Sequence, residues 1–285
     1  MKDVYQEITD RILGSLDSAG EWVRPWKMAS AGMPINAVSK QRYRGSNVLM
    51  CWLTGMIAGY SSNRWATFKQ WADMDVKIKK GEKGTPIIFF KQYEKQDDNG
   101  DPEKMFVARS SYVFNAEQTD EVREGEPETP GIGGVTERFA TIEEFVAKSR
   151  ASVTVQGDRA YYVPSLDRIF MPDIGLFKSS HYYYGTLLHE LTHWTGAKSR
   201  MNRDLAPRFN EEAYAMEELV AELGAAFMCA SFGIESTTRD DHASYIGSWI
   251  KVMKGDRKAI VTAASQAEKA VDYLNQLVTP MQEAA

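Results

Sequence analysis

Thiols are nearly absent. Cys51 and Cys229 are the chain's two cysteines, and each sits in an apolar helical pattern (LMCWLTGMI and FMCASF), which excludes a disulfide framework and a thiolate metal site and predicts two buried free thiols. No stretch approaches the roughly 18 uninterrupted apolar residues of a membrane span. The first residues, MKDVYQEITDRILGSLD, carry acids through an amphipathic pattern set by Val4, Ile8, Ile12 and Leu16 in place of a basic cap and an apolar run, so no signal peptide is expected. Together these features predict a cytoplasmic protein. Phosphate loops of the Walker type and the paired cysteines of zinc fingers are missing too, which sets aside a nucleotide-driven motor. Histidine is scarce, with four in the chain.

What is present is a globular composition, 43% hydrophobic and 26% charged over 285 residues. That length suits one or two domains of roughly 100 to 200 residues each. The net charge of −5 argues weakly against nucleic acid, but it is unevenly spread. Residues 22–95 hold 13 basic side chains against 4 acidic ones, leaving the remainder of the chain strongly acidic. Such a split predicts that the two parts meet different partners.

Pattern fails at AEQTDEVREGEPETPGIGGVTE, residues 116–137, rich in acids, Pro and Gly, and this stretch is expected to be a linker. The expected architecture is therefore α+β in two domains. Residues 1–115 read as an α+β unit: a first helix, a second opening at Ser46 or Asn47 as N-cap, and a β-hairpin formed by TPIIFFKQYEK and KMFVARSSYVFN around an Asn-Gly turn. Residues 138–285 read as mainly helical with a small sheet. Thr141 and Glu144 form an expected capping box, the strands SVTVQ, RAYYV and DRIFMP follow, and long helices occupy the rest. Gly196 and Gly233 are expected to stop the first two of those helices.

Two of the four histidines fall in TLLHELTHWTG, four positions apart with a glutamate between them. Positions four apart share a helix face, so His189 and His193 can direct imidazoles at one ion, with Glu190 beside them. A catalytic zinc keeps three protein ligands and an open position for water, which Glu190 would deprotonate during attack on a carbonyl. MEELVAEL supplies the third ligand. Glu218 is the choice, with Glu222 one turn on as acceptor for a ligand histidine's free N–H. Glu217 is ranked lower because Glu218 and Glu222 share a face, and the ligand stays to be settled among these three. Zinc is the default for such a donor set, though manganese and other divalent ions accept the same groups. The pattern alone recurs by chance, and its helical setting and the two carboxylates that follow are what raise it above coincidence. DRIFMP is expected to be an edge strand where an extended peptide could pair. Tyr182, Tyr183, Tyr184 and Tyr214 are weak candidates for an oxyanion donor, since aromatic residues at this spacing are more often packing; His181 and His242 are read as surface or packing residues.

The basic region interleaves cations with aromatic rings, the pattern of a groove that holds single-stranded nucleic acid. Arg42, Tyr43, Arg44 and Asn47 come from KQRYRGSN. Trp65, Lys69, Lys77, Lys79, Lys80 and Lys83 come from NRWATFKQWADMDVKIKKGEKG. Phe68 and Trp71 are assigned to the core.

PWKMASAGMPIN, YRGSN, WATFKQW, KKGEKGTPIIFFK, YYYGTLLHELTHWTG and YAMEELVAELGAAF, in this order, resemble the antirestriction protein ArdC family, found on conjugative plasmids and similar to the N-terminal part of certain plasmid primases. The resemblance implies an N-terminal single-stranded DNA-binding domain, a C-terminal zincin-type metallopeptidase-like domain, and protection of incoming plasmid DNA from host restriction. It implies metal-site roles for His189, Glu190, His193 and the stretch from Glu218 to Glu222. Beside single-stranded DNA, a host restriction-related protein is the expected partner, as substrate or as target; the resemblance itself names no cleaved protein.

Overall fold

The structure is a computed structural model, and it describes residues 3–17, 32–96, 102–120, 138–205, 211–236 and 246–279. Much of the presumed linker and His242 lie outside the described residues.

The N-terminal part is α+β. Helix α1 (Val4–Asp17) precedes strand β1 (Ile35–Asn36), helix α2 (Ser46–Ala58), strand β2 (Arg64–Thr67) and the short helix α3 (Phe68–Asp73). The long strands β3 (Thr85–Gln96) and β4 (Pro102–Asn115) then pair antiparallel in the expected hairpin register, with Phe90 opposite Ala108, and the Asn-Gly turn lies outside the described residues. The sheet order is β1-β2-β4-β3, with β1 parallel to β2. Trp65, Cys51, Ile87 and Val113 form a small core where α2 meets the sheet, while Trp71 of α3 packs with Ala37, Ala66 and Ala116. The α2 N-cap is Gly45, with no side-chain cap bond. Asn47, one of the two expected caps, instead hydrogen-bonds the main chain of Ile88 through both ends of its amide, at 2.7 and 2.8 Å, tying α2 to β3.

The C-terminal part begins with α4 (Ala140–Ser149). Its N-cap is Phe139, which has no capping side chain, so the expected Thr141 capping box does not form. Strands β5 (Ser152–Val155), β6 (Tyr161–Val163) and β7 (Arg168–Met171) fall where sequence placed them. Their order is β5-β7-β6, so β7, the DRIFMP strand, is central and both its edges are occupied. The expectation of peptide pairing along β7 is therefore overturned. Helices α5 (Ser180–Thr195), α6 (Glu211–Phe232), α7 (Ile246–Gly255) and α8 (Ala259–Val278) complete the unit, with α6 packed between α5 and α8. Among the described residues no helix is long and apolar enough to cross a membrane.

Two features differ from the sequence reading of the boundary. Residues 116–120, taken as linker, belong to the N-terminal body: Ala116–Gln118 form a 3-10 turn, Ala116, Gln118 and Thr119 are buried, and Thr119 bridges to Ile78. In addition, one hydrophobic core runs through both parts. Ile8 and Ile12 of α1 and Leu49 and Trp52 of α2 share it with Phe227 of α6 and Ala263, Ala264 and Ala267 of α8. The Trp52 and Phe227 rings lie 5.9 Å apart. Burying apolar surface stabilises by about 25 cal/mol per Å², so a shared core couples the folding of the two parts.

Candidate metal centre and basic surface

Helix α5 carries His189 and His193 one turn apart with Glu190 directly after the first, and α6 carries Glu217, Glu218 and Glu222 against it. Close approach of these helices is what assembles the site. Gly224 faces Thr192, and a Cβ there would stand 2.6 Å from the Thr192 Cγ2. Gly196, expected to end α5 through its conformational freedom, has ordinary right-handed helical angles. Its requirement is space: a Cβ would lie 2.7 Å from Leu205 and 2.9 Å from the Arg203 guanidinium.

His189 Nε2 and His193 Nε2 are 3.1 Å apart, and Glu218 lies 3.5 Å from the first through Oε2 and 3.6 Å from the second through Oε1. These three residues present donor atoms within 4.8 Å of one another. Two imidazole nitrogens bound tetrahedrally at ~2.0–2.1 Å from one ion stand roughly 3.3–3.4 Å apart, so the spacing fits a shared divalent cation. The opposite ring edges face carboxylates. His193 Nδ1 is 3.1 Å from Glu217 Oε1, and His189 Nδ1 is 3.7 Å from Glu222 Oε2. Donation from His193 Nδ1 to Glu217 leaves the His193 Nε2 lone pair pointing at the common centre, the arrangement that orients a ligand histidine, while Glu222 flanks His189 Nδ1 at longer range. Glu190 is buried at 3% exposure beside them.

The electrostatics agree. Burial by itself would lower the His189 pKa, but the carboxylates of Glu218 and Glu222 favour the charged ring and push it up to about 10. Burial would raise the Glu218 carboxyl, yet His189, His193 and Tyr214 hold it well below the usual carboxylate range. Glu217 is likewise depressed against its burial, by His193 and Arg203. Negative charge is thus concentrated where a cation would sit.

Sequence placed the pair His189 and His193, Glu218 and Glu222 in this cluster, and the structure brings all four together. Glu217, ranked below Glu218 as a ligand, is not among the three convergent donors and turns to the outer nitrogen of His193; the sequence marked neither that contact nor Arg203, which holds Glu217. Arg203 follows α5 in a loop, so no helical periodicity marks it. Two of the tyrosines are packing groups, as the sequence reading favoured: Tyr184 donates to Glu143 at 2.9 Å, and Tyr183 stacks edge-on with Phe177 and Tyr184. Tyr214 differs, since its hydroxyl donates to Glu218 at the metal centre. His181 accepts the Glu235 N–H at 3.0 Å.

The basic residues divide into two groups. Trp65 is 2% exposed and therefore core, so it offers no face to a base. Asn47 is spent on Ile88, and half-buried Tyr43 receives the Asn36 amide at 3.1 Å and donates to the Trp65 carbonyl at 3.3 Å; burial raises its hydroxyl pKa. Arg42 reaches Ser231 of α6 at 3.0 Å, and Arg44 pairs with Glu268 at 3.2 Å and with Asp272, both on α8. These five groups stitch the fold together. Lys69 is exposed and pairs with Asp73 at 2.7 Å. Lys77, Lys79, Lys80 and Lys83 are exposed around a tight turn, with the Lys79 ammonium also on the Glu117 carbonyl at 3.0 Å. Phe68, assigned to the core by sequence, is 65% exposed, and Tyr112 of β4 is exposed as well.

Comparison with known proteins matches residues 2–136 to the N-terminal domain of anti-restriction factor ArdC and residues 140–266 to a zincin-like metallopeptidase family. A Sinorhizobium fredii protein, y4eC, is 35% identical over 284 residues, covering 96% of this chain and 92% of the relative. A DNA primase TraC of Escherichia coli is 37% identical over 295 residues, 96% of this chain but 27% of the primase. Two crystal structures of antirestriction ArdC from the R388 plasmid superpose. The metal-free form gives a TM-score of 0.82 at 38% identity, covering 97% of this chain and 98% of that one. The Mn(II)-bound form gives 0.81 at 37%, covering 98% and 100%.

Proposed function

The chain belongs to the antirestriction ArdC family, and from that premise we propose that it binds single-stranded DNA through its N-terminal part and acts as a metal-dependent peptidase through its C-terminal part, protecting incoming conjugative DNA from restriction in the cytoplasm of the receiving cell. The observation that carries the peptidase half is the convergence of His189, His193 and Glu218 on one point within 4.8 Å, with Glu190 buried alongside.

His189, His193 and Glu218 would hold a divalent cation, zinc or manganese. When bound, it supplies Lewis-acid polarisation of a carbonyl and of water. Glu190 takes the proton from the attacking water and returns it to the leaving amine. Glu217 and Glu222 keep the two imidazoles oriented. A host restriction-related protein is the substrate class this reading names. On the DNA side, the exposed lysines from Lys77 to Lys83 meet phosphates, and the exposed rings of Phe68 and Tyr112 offer stacking faces that the sequence reading did not select.

The test pairs wild type with Glu190→Gln, which spares the metal ligands and removes the base. Metal content, single-strand affinity and protection of transferred DNA are measured on both. Retained metal and DNA binding with lost protection supports the peptidase. Equal protection by the two proteins would show that DNA binding suffices and that the metal centre serves structure.

A further inference from the structure

Arg203 stands apart from an ordinary loop arginine. Its side chain is 6% exposed, and each N–H of its guanidinium has an acceptor. Nε donates to Glu217 Oε2 at 3.0 Å and Nη2 to Glu217 Oε1 at 2.9 Å, a two-pronged pairing with one carboxylate. The second Nη2 hydrogen meets the Thr192 carbonyl at 2.6 Å, and Nη1 meets Thr195 Oγ1 at 2.8 Å and the Met201 sulfur at 3.5 Å. Guanidinium supplies five donors in a fixed plane, and lysine has no equivalent geometry.

Two consequences reach the metal centre. Glu217 Oε1 lies 3.1 Å from His193 Nδ1. A carboxylate clasped by a guanidinium only accepts hydrogen bonds, so the His193 proton must sit on Nδ1 and its Nε2 lone pair must face His189 and Glu218. The bonds to Thr192 and Thr195 also fasten the last turn of α5, which bears His193, to the helix that bears Glu217 and Glu218. Gly196 leaves the room this requires, since a Cβ there would press on the guanidinium at 2.9 Å.

We infer that Arg203 is a positioning residue of the metal centre, acting through Glu217 to fix the tautomer and direction of His193 and through Thr192 and Thr195 to hold the α5 terminus against α6. This rests on the reading of His189, His193 and Glu218 as metal ligands. A role confined to tying down the loop would instead make Arg203 equivalent to Arg200, a neighbouring loop arginine that pairs with Asp167 and caps the Trp194 carbonyl at 2.6 Å without touching Glu217.

The experiment uses the full chain as wild type, Arg203→Met, Arg203→Lys, Glu217→Gln and Arg200→Met. Metal-free proteins are first melted, then titrated with zinc and with manganese against a competing chelator, and the cobalt(II)-loaded forms are compared by visible absorption. Removing an outer partner of a ligand histidine weakens metal binding by roughly 10–100-fold. Arg203→Met and Glu217→Gln are expected in that range with altered cobalt spectra, Arg203→Lys between them and wild type, and Arg200→Met at wild-type affinity despite a lowered melting temperature. If wild type binds metal stoichiometrically while Glu217→Gln, or a folded Arg203→Met, stays within about twofold of it, the inference is overturned and the centre stands. If wild type takes up no divalent ion, the reading of the centre itself is what fails. Should Arg203→Met not fold, Arg203→Lys and Glu217→Gln decide the matter on the same scale.

Discussion

Gly224 of α6 meets Thr192 of α5 at a distance that admits no side chain: a Cβ on Gly224 would stand 2.6 Å from the Thr192 Cγ2 and 2.7 Å from its Oγ1. Thr192 cannot easily turn away, because it is fully buried and its hydroxyl donates to the Leu188 carbonyl at 2.9 Å. The two helices therefore touch just beyond Glu222, about half a turn on along α6. Their separation at that point sets how closely those carboxylates approach the histidines. Gly224→Ala is expected to destabilise by about 1–3 kcal/mol, the usual cost of forcing a methyl into a packed core, despite alanine's better helix propensity. Calorimetry of the metal-free protein and a chelator competition measure the two effects together. A melting temperature at or above wild type would mean that the helices separate freely.

The shared core leads to a second expectation. Trp52 is 3% exposed, its indole N–H donates to the Gly32 carbonyl at 3.1 Å, and its ring abuts Phe227 across the junction. Trp52→Ala should cost about 3–5 kcal/mol and lower the melting of the whole chain, not of the N-terminal part alone. The metal-free protein should melt in one transition, and a fragment ending at residue 120 should be poorly folded because the faces of α1 and α2 lose their partners. Two well-separated transitions, with Trp52→Ala moving only one, would restore the independent domains that the sequence suggested.

The sequence reading reached as far as local periodicity and spacing allow. The HELTH helix, the two carboxylate turns of α6, the long hairpin and the three short strands follow from patterns of 3.6 and 2, and each is present. What it could not reach depends on tertiary packing. β7 looks like an edge strand until β5 crosses over to pair with its far side. Trp65 and Phe68 carry the same kind of signal, yet one ring is buried against Cys51 and Val113 and the other points outward. Counting helix faces ranks Glu217 below Glu218 as a ligand, but it cannot show that Glu217 reaches the outer nitrogen of His193, a turn beyond His189. Arg42 and Arg44 read as DNA-binding groups because their partners, Ser231 of α6 for the first and Glu268 and Asp272 of α8 for the second, are far away in sequence and invisible from their neighbourhood.

Single-strand binding should depend on the lysine turn more than on the arginines. Arg44 already has Glu268 and Asp272, so phosphate must compete with two carboxylates there, whereas Lys80 and Lys83 are exposed. Reversing Lys77, Lys79, Lys80 and Lys83 to glutamate should weaken affinity for an oligonucleotide and flatten the plot of log K against log salt by about 0.7 for each phosphate that is no longer neutralised. Arg44→Ala should change that slope little. Equal slopes for wild type and the lysine variant would remove this turn from the interface.

Metal uptake should be linked to protons in a direction the site dictates. In the metal-free fold the His189 pKa is pushed up to about 10, against an ordinary value of 6.5, so the imidazole is protonated at neutral pH. The elevated histidine stabilises the metal-free fold fully below its ordinary value and ceases to do so as pH rises through about 10. The depressed Glu218 stabilises it above the ordinary carboxylate range and ceases to do so in acid. A cation needs the His189 lone pair, so binding must expel about one proton from this residue at neutral pH, and apparent affinity should climb by nearly tenfold per pH unit. Titration calorimetry in buffers of different ionisation enthalpy reads the proton count directly. His189→Ala should abolish the release along with the affinity. Metal uptake by wild type with no proton release and no pH dependence between about pH 6 and 8 would mean that the cation does not displace the His189 proton, and His189 would leave the ligand set.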